Sequence, residues 1–448
     1  SGVPRILTVR SDMIGLPRGA SGSLAAPLLI GHCTHGHAGI LGGVTIHRNR
    51  WQRTVCLFAA TGFVESLAFG HLGAFMPILL DELRVPRSTA PAWIGVLSSL
   101  AFVIGLPLLP FWGVWAEQYG RKLIIIRSSA AGALMFALAG LSQDVWMLAV
   151  ARLLGGFVLG NTGVMMAVQE AITPSDRLGK AVALISAGAP VGMAIGPLLG
   201  GRIVALYSVR SLLLIDAALT LIMALLLMWL LKEEPRPERS RIPSRMGVML
   251  AIRAITKTRS ISVLFAAGFL VALGASAAQP YVPVLLQHLH RGPGLAETIG
   301  LVYTISGIVM AALTPAFGTI GDRIGHLAVW RAAGVIGAVG VAGMALSMTS
   351  SEVAAWRSIQ VAAMGGLGAL TMVLLARYSD AETRTPVLTL SLLPNQLSWF
   401  LGPLLGSVLA SYSLKLPFIF GAAASLVGVL MSLSLTRTGP AGWRSERS

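Results

Sequence analysis

Gly113-Val114-Trp115-Ala116-Glu117-Gln118-Tyr119-Gly120 returns 205 residues later as Gly318-Thr319-Ile320-Gly321-Asp322-Arg323-Ile324-Gly325. At nearly the same spacing, Gly196-Pro197-Leu198-Leu199-Gly200 returns letter for letter as Gly402-Pro403-Leu404-Leu405-Gly406. Between these anchors Phe75-Met76-Pro77-Ile78-Leu79-Leu80 aligns with Tyr281-Val282-Pro283-Val284-Leu285-Leu286, Ile94-Gly95 with Ile299-Gly300, and Arg152 with Arg357. A constant offset held over this distance marks a duplicated unit.

The chain that carries the repeat is 55% hydrophobic, only 12% charged and has a mean hydropathy of +0.76, so it belongs in a bilayer. Duplicated sets of membrane helices are the plan of many transporters. The net charge of +16 does not indicate nucleic acid, because the basic residues fall in short clusters between apolar runs instead of one continuous patch. Two cysteines, Cys33 and Cys56, imply no disulfide framework. The first fifty residues carry no cleavable signal pattern and read as a disordered or artefactual extension. Within them, His32-Cys33-Thr34-His35-Gly36-His37 resembles a metal-binding tract by composition alone, and no metal is expected.

A hydrocarbon core of about 30 Å needs about 20 apolar residues per helix. Windows of that size predict twelve spans, at 54–80, 92–116, 122–142, 146–170, 181–205, 211–231, 262–287, 298–320, 327–349, 353–377, 386–410 and 416–436. If the first helix runs outward, one side collects most of the lysines and arginines, and the other keeps only Arg84, Arg87, Arg210, Arg291 and Lys415. The basic-loop bias then puts both termini in the cytoplasm. The longest break, opening with Lys232-Glu233-Glu234-Pro235-Arg236-Pro237-Glu238-Arg239, is a solvated connector or an amphipathic strip on the inner leaflet. The expected fold is an all-α membrane protein of twelve transmembrane helices in two pseudo-symmetric six-helix halves. Its segments are an extension at 1–52, bundles at 53–231 and 261–437, a linker at 232–260 and a tail at 438–448.

Twelve helices in two similar halves, with G-x-x-x-[DE]-x-x-G and basic residues after the second helix, resemble the major facilitator superfamily over roughly residues 53–437. More narrowly the chain resembles the bacterial drug:proton antiporter group. Gly188, Gly192 and Gly196-Pro197-Leu198-Leu199-Gly200-Gly201 match that group's helix 5 motif except at its first glycine, and Phe111-Trp112-Gly113 followed by Gly120-Arg121-Lys122-Leu123 is typical of its multidrug exporters. The resemblance implies that Gly113, Glu117, Gly120, Arg121 and Lys122, with Gly318, Asp322 and Arg323 in the second copy, latch the halves together on the cytoplasmic side, Glu170 joining Arg121. Glu117 stands where the family usually has Asp, and Gln118 where it is usually basic. In helix 5 the repeated small residues allow close packing, and Pro197 allows a bend for switching.

Ionisable groups at membrane depth are costly, so each needs a partner or a task. Glu65 lies roughly 16 Å into the first helix at 1.5 Å per residue, near the midplane. Arg152, roughly 9 Å deep in the fourth, is long enough to reach the same level, and it matches the family arginine that the resemblance links to proton coupling. The expectation is that Glu65 carries a proton and Arg152 senses its charge; a static buried pair is the alternative. Asp216 is expected at a wet rim or beside Arg210, and Arg127 and Arg331 are expected to snorkel. Phe69, Tyr281, Tyr303, Asn395, Gln396 and Trp399 are candidates for lining a substrate cavity. No G-x-x-x-x-G-K-[ST] loop is present, and no cofactor is expected.

These expectations describe a non-enzyme: a multi-pass protein of the cell membrane, in bacteria the inner membrane, working as a monomer with protons, a small-molecule substrate and the bilayer as partners. It exports amphipathic or lipophilic compounds in exchange for protons. A metabolite symporter or facilitator, and a transporter-like sensor or scaffold, remain open alternatives.

Overall fold

The structure is a computed structural model, and it describes residues 38–232, 253, 255–290 and 292–435. The expected tail, the His32–His37 tract and most of the extension and linker lie outside the described residues. The chain divides into units Ser1–His47 and Arg48–Ser448; in the first, only the helical residues 38–47 are described.

Among the described residues all regular structure in the second unit is helical. The helices are α1 (Arg50–Glu82), α2 (Ala90–Tyr119), α3 (Arg121–Gly140), α4 (Val145–Ile172), α5 (Leu178–Leu206), α6 (Val209–Leu230), α7 (Arg259–Leu289), α8 (Leu295–Ile324), α9 (His326–Leu346), α10 (Ser350–Tyr378), α11 (Ala381–Leu390 and Leu393–Tyr412) and α12 (Leu416–Ser432). The first ten are long and apolar enough to cross a membrane.

Sequence windows predict uninterrupted spans, and four helices depart from that. α4 passes through a 3-10 turn at Gly155–Val158, α7 through one at Gln279–Tyr281, α10 is interrupted at Gly366, and α11 changes course between Leu390 and Leu393. In α7 and α11 the cause is a proline, Pro280 or Pro394, whose missing N–H cannot bond the preceding turn. The repeat is visible in the backbone itself. Gly120, between α2 and α3, has φ +106° and ψ +138°, and Gly325, between α8 and α9, has φ +99° and ψ +129°. A side chain would be strained at either turn.

Within the first half α3 packs on α6 and α4 on α2 and α3; within the second, α7 packs on α11 and α12, and α9 on α10 and α12. The halves meet through α5 on α8 and α2 on α11. Those contacts lie at the ends remote from the repeated loop. Tyr281 Oη donates to Pro91 O at 3.1 Å, Ser99 Oγ to Phe400 O at 2.8 Å, and Gln287 Nε2 to the Asp81 carboxylate. One apolar core, including Phe75, Leu79, Leu285, Ile299 and Phe418, spans both halves there. At the loop-motif ends the core is split in two, one around Phe58, Trp112 and Ile125, the other around Leu264, Trp330 and Leu374. Among the described residues the bundle is therefore sealed at one end and parted at the other.

Candidate functional site

The site is assembled by the break in α4. Gly155 and Gly156 let α4 press against α2 so closely that a Cβ on Gly156 would lie 2.6 Å from the Ala101 carbonyl oxygen. Where the helix unwinds, its carbonyls are released from the ladder and other groups take them. Ser128 Oγ donates to Val158 O at 2.9 Å, and Arg127 Nη2 donates to Leu159 O at 3.2 Å. Gly160 then adopts a left-handed turn with φ +87°, packed on Trp112, and Asn161 begins the second helical segment facing α1. Irregular backbone at membrane depth is tolerated where protein or a wet cavity satisfies it.

Glu65 on α1 receives this construction. Its Oε1 accepts from Ser129 Oγ at 2.8 Å, Asn161 Nδ2 at 3.4 Å and Ser128 Oγ at 3.5 Å, and the side chain is only partly buried. Three neutral polar groups converge on one carboxyl oxygen, with Ser129 and Asn161 donating to it while the single Ser128 proton goes to the nearer Val158 carbonyl. The charge that acts on it is Arg127, whose guanidinium also lies over the Trp112 ring, 3.3 Å from its centroid.

Arg152 is not part of this cluster, contrary to expectation. It is buried, but its Nε donates to Leu97 O at 2.8 Å, so it is turned toward α2 and ties α4 to that helix. Spacing along α4 places Arg152 at a suitable depth without fixing the face it occupies. Arg127 is likewise corrected: it folds inward onto Trp112 and Leu159 instead of snorkelling. The signals present in the sequence were the adjacent Arg127-Ser128-Ser129 on α3 and the Gly155-Gly156 and Gly160-Asn161 pairs in α4.

The Major Facilitator Superfamily pattern matches residues 58–296 and 264–448. The chain belongs to this superfamily. The multidrug resistance protein MdtG of Dickeya zeae is 28% identical over 396 residues, covering 86% of this chain and 95% of its own. The protein of the same name from Escherichia fergusonii is 25% identical over 394 residues, covering 86% and 95%. Among solved structures, the nucleoside transporter NupG superposes with a TM-score of 0.70 at 15% identity, covering 85% of this chain and 98% of its own. A bacterial homologue of the lysosomal transporter Spinster gives 0.67 at 14% identity, covering 86% and 95%. Relatives and fold alike are those of superfamily transporters, not enzymes.

The superfamily's loop motif is not engaged as a latch here. Glu117, Asp322 and Arg323 are exposed, and a Cβ on Gly113 or Gly318 would meet nothing within 4 Å. Arg121 Nη1 donates to Ala167 O at 3.2 Å and not to Glu170, which points to solvent one turn further along α4. Lys122 is partly buried, and Asp322 pairs with His326 at 3.3 Å within its own half.

The helix 5 motif forms a backbone-to-backbone seam. A Cβ on Gly188 would lie 2.4 Å from Ala59 O, on Gly192 2.3 Å from Phe63 O, on Gly196 3.2 Å from Leu67, and on Gly200 2.6 Å from the His71 ring. The four-residue spacing on α5 thus matches a four-residue spacing on α1. Gly201 and Pro197 face α8: a Cβ on Gly201 would lie 2.6 Å from Ala296 O, and one on Gly300 2.3 Å from Pro197 O. α5 remains a single helix through Pro190 and Pro197.

The substrate-lining candidates separate. Tyr281 is fully buried in the seal between halves, and Tyr303 is buried under the Arg357 guanidinium at 3.9 Å, so neither presents a free face. Phe69 packs edge-on against Phe136 at 5.5 Å. Asn395 and Trp399 are exposed and Gln396 partly so. Asn395 lines a cavity of about 340 Å³ with Phe265, Trp330, Met364, Thr371 and Met372. Asp216 corrects a further expectation: it is fully buried and bonds His71, not Arg210.

Proposed function

We propose that the chain is a proton-coupled secondary active transporter that exports small amphipathic or lipophilic compounds by alternating access. The observation that carries this reading is the Glu65 carboxyl, partly open, held by the neutral groups of Ser128, Ser129 and Asn161 and facing Arg127 instead of being locked in a salt bridge. A carboxyl held this way keeps hydrogen-bonding groups whether or not it carries a proton, because the Ser129 hydroxyl can rotate to donate or accept and the Ser128 oxygen can accept while its proton stays on Val158 O. Exchange requires such a reversible site.

With the basic loops on the cytoplasmic side, the parted end opens inward, ready to load from the cytoplasm. The cavity lined by Phe265, Met364, Met372 and Asn395 suits a greasy substrate: mostly apolar, with pliable thioethers and a few polar groups for orientation. The relatives named as multidrug resistance proteins support the same substrate class.

The test is reconstitution in proteoliposomes carrying a pH-sensitive dye. Lipophilic cations added to the wild type should drive proton movement, and Glu65→Gln should bind them yet lose most of that movement. Undiminished coupling in Glu65→Gln would sink the reading.

A further inference from the structure

A second ionisable cluster lies about one and a half turns beyond Glu65 along α1. His71 and Asp216 are both buried, the imidazole Nδ1 lying 3.0 Å from each carboxylate oxygen. On its other side the ring Nε2 is 2.7 Å from the Gly196 carbonyl oxygen of α5. The ring is wedged in place, because Gly200 leaves exactly the room it occupies: a Cβ there would lie 2.6 Å from the imidazole. The groups facing the pair are few. α5 offers the Gly196 carbonyl and Gly200, α1 offers Phe75 with its ring centroid 6.4 Å from the imidazole, and α6 offers Asp216 itself, whose backbone carbonyl accepts from Thr220.

Proton counting fixes what this geometry contains. A carbonyl and a carboxylate are both acceptors, so an imidazole satisfying both must donate from both nitrogens. That is imidazolium with carboxylate or, equivalently in protons, a neutral ring donating from Nε2 with a protonated Asp216 donating to Nδ1. Remove one proton and a lone pair must face either the Gly196 carbonyl or the Asp216 carboxylate. A buried polar group left facing a like group costs about 1–3 kcal/mol. The three helices joined here are thus held together by a removable proton.

The joint is mechanically placed. Gly196 precedes Pro197, whose carbonyl is approached by α8 at Gly300, and Gly201 approaches Ala296 on α8. Where α5 rests on His71 it also closes against the other half.

We propose that His71 and Asp216 form a second proton-binding site, distinct from Glu65, and that its proton clamps α5 onto α1 at the level where α5 seals against α8. Loss of that proton releases the Gly196 carbonyl and loosens the closed end. The inference concerns the free protein and rests on neither the substrate nor the direction of transport.

Spin labels report it directly. In a Cys33→Ser, Cys56→Ser background, labels are placed at Ser88→Cys in the α1–α2 loop and Ser413→Cys in the α11–α12 loop, both exposed, in nanodiscs without substrate. As the pH is raised from about 5 to 8, the long-distance population of the wild type should rise about threefold or more. His71→Gln keeps an amide donor for Gly196 but cannot titrate, and Asp216→Asn donates to a neutral ring; both should stay closed at every pH. His71→Ala has no donor and should be open at every pH. A wild type that does not respond, a wild-type-like response in His71→Gln or Asp216→Asn, or a closed His71→Ala would each overturn the proposal. The same labels with Glu65→Gln separate the two sites: a response that vanishes there belongs to Glu65 and also overturns it.

Discussion

Arg127 lies over Trp112, its guanidinium carbon 3.3 Å from the ring centroid, while the same guanidinium bonds the freed Leu159 carbonyl. The cation is held in the interior without forming a salt bridge to Glu65, so it biases the carboxyl without capturing it. An ammonium cannot reproduce this arrangement, since it neither stacks nor forks. Arg127→Lys and Trp112→Leu should each remove a desolvated cation–π contact of about 0.5–2 kcal/mol. The expected outcome is a melting temperature lower by a few degrees for the purified protein and at least a severalfold slower substrate-driven proton movement, with Arg152→Lys leaving the proton signal nearer to wild type.

Among the described residues Asn161 supplies the one side-chain amide that reaches Glu65, and it does so only because α4 breaks at Gly155–Val158. Asn161→Leu keeps the γ-branched shape and removes the donor; Ser129→Ala removes the 2.8 Å contact. Hydrogen bonds to charged groups contribute about 1.5–3 kcal/mol, so each variant should slow exchange roughly tenfold while still binding substrate. Normal exchange in the double variant would show that Oε1 needs neither group.

Much of the fold was legible because duplication repeats backbone requirements as well as letters. Gly120 and Gly325 recur in sequence and take nearly the same left-handed conformation. Glu65 was legible because a carboxyl at membrane depth is conspicuous by cost. Its partners were not, because hydropathy and depth describe how far along a helix a residue lies and leave its azimuth open. Arg152 and Arg127 were exchanged on that account. The α4 break escaped because a window of apolar residues scores alike whether its backbone is helical or unwound. His71 drew no notice in the sequence, being a single histidine 145 residues from its carboxylate.

The α1–α5 seam tolerates no side chain. A Cβ on Gly192 would lie 2.3 Å from the Phe63 carbonyl oxygen, where the obstacle is backbone and cannot step aside. Gly192→Ala should therefore force the helices apart, costing on the order of the 1–3 kcal/mol typical of overpacking. Gly163→Ala, with nothing within 4 Å of the new methyl, is the control and should be neutral or slightly stabilising through helix propensity. Fluorescence-detected size exclusion after graded heating distinguishes them.

At the sealed end, Tyr281 Oη reaches across to Pro91 O at 3.1 Å. Tyr281→Phe keeps the packing and leaves a buried carbonyl without that donor. A net bond contribution of about 0.5–1.5 kcal/mol corresponds to a shift of roughly two- to tenfold in the balance between sealed and open forms. The shift should appear as faster modification of a cysteine introduced at Ser407, buried at the same seam, and unchanged modification kinetics would show that the bond is dispensable.

The parted loop-motif end supports a sharper contrast. Gly113 lies inside α2 with open space where its side chain would be, so in the form described here Gly113→Leu meets no obstacle and should gain about 0.5–1 kcal/mol from better helix propensity. If the two halves rock together at this end during transport, the same leucine must be accommodated in a contact that the glycine was small enough to permit. The expected result is a protein at least as heat-stable as the wild type, with normal substrate binding at the parted face and transport reduced tenfold or more. A Gly318→Leu variant at the equivalent place in the second half, similarly unobstructed, should behave alike. Full transport by both variants would mean that these ends do not come into close contact during the cycle.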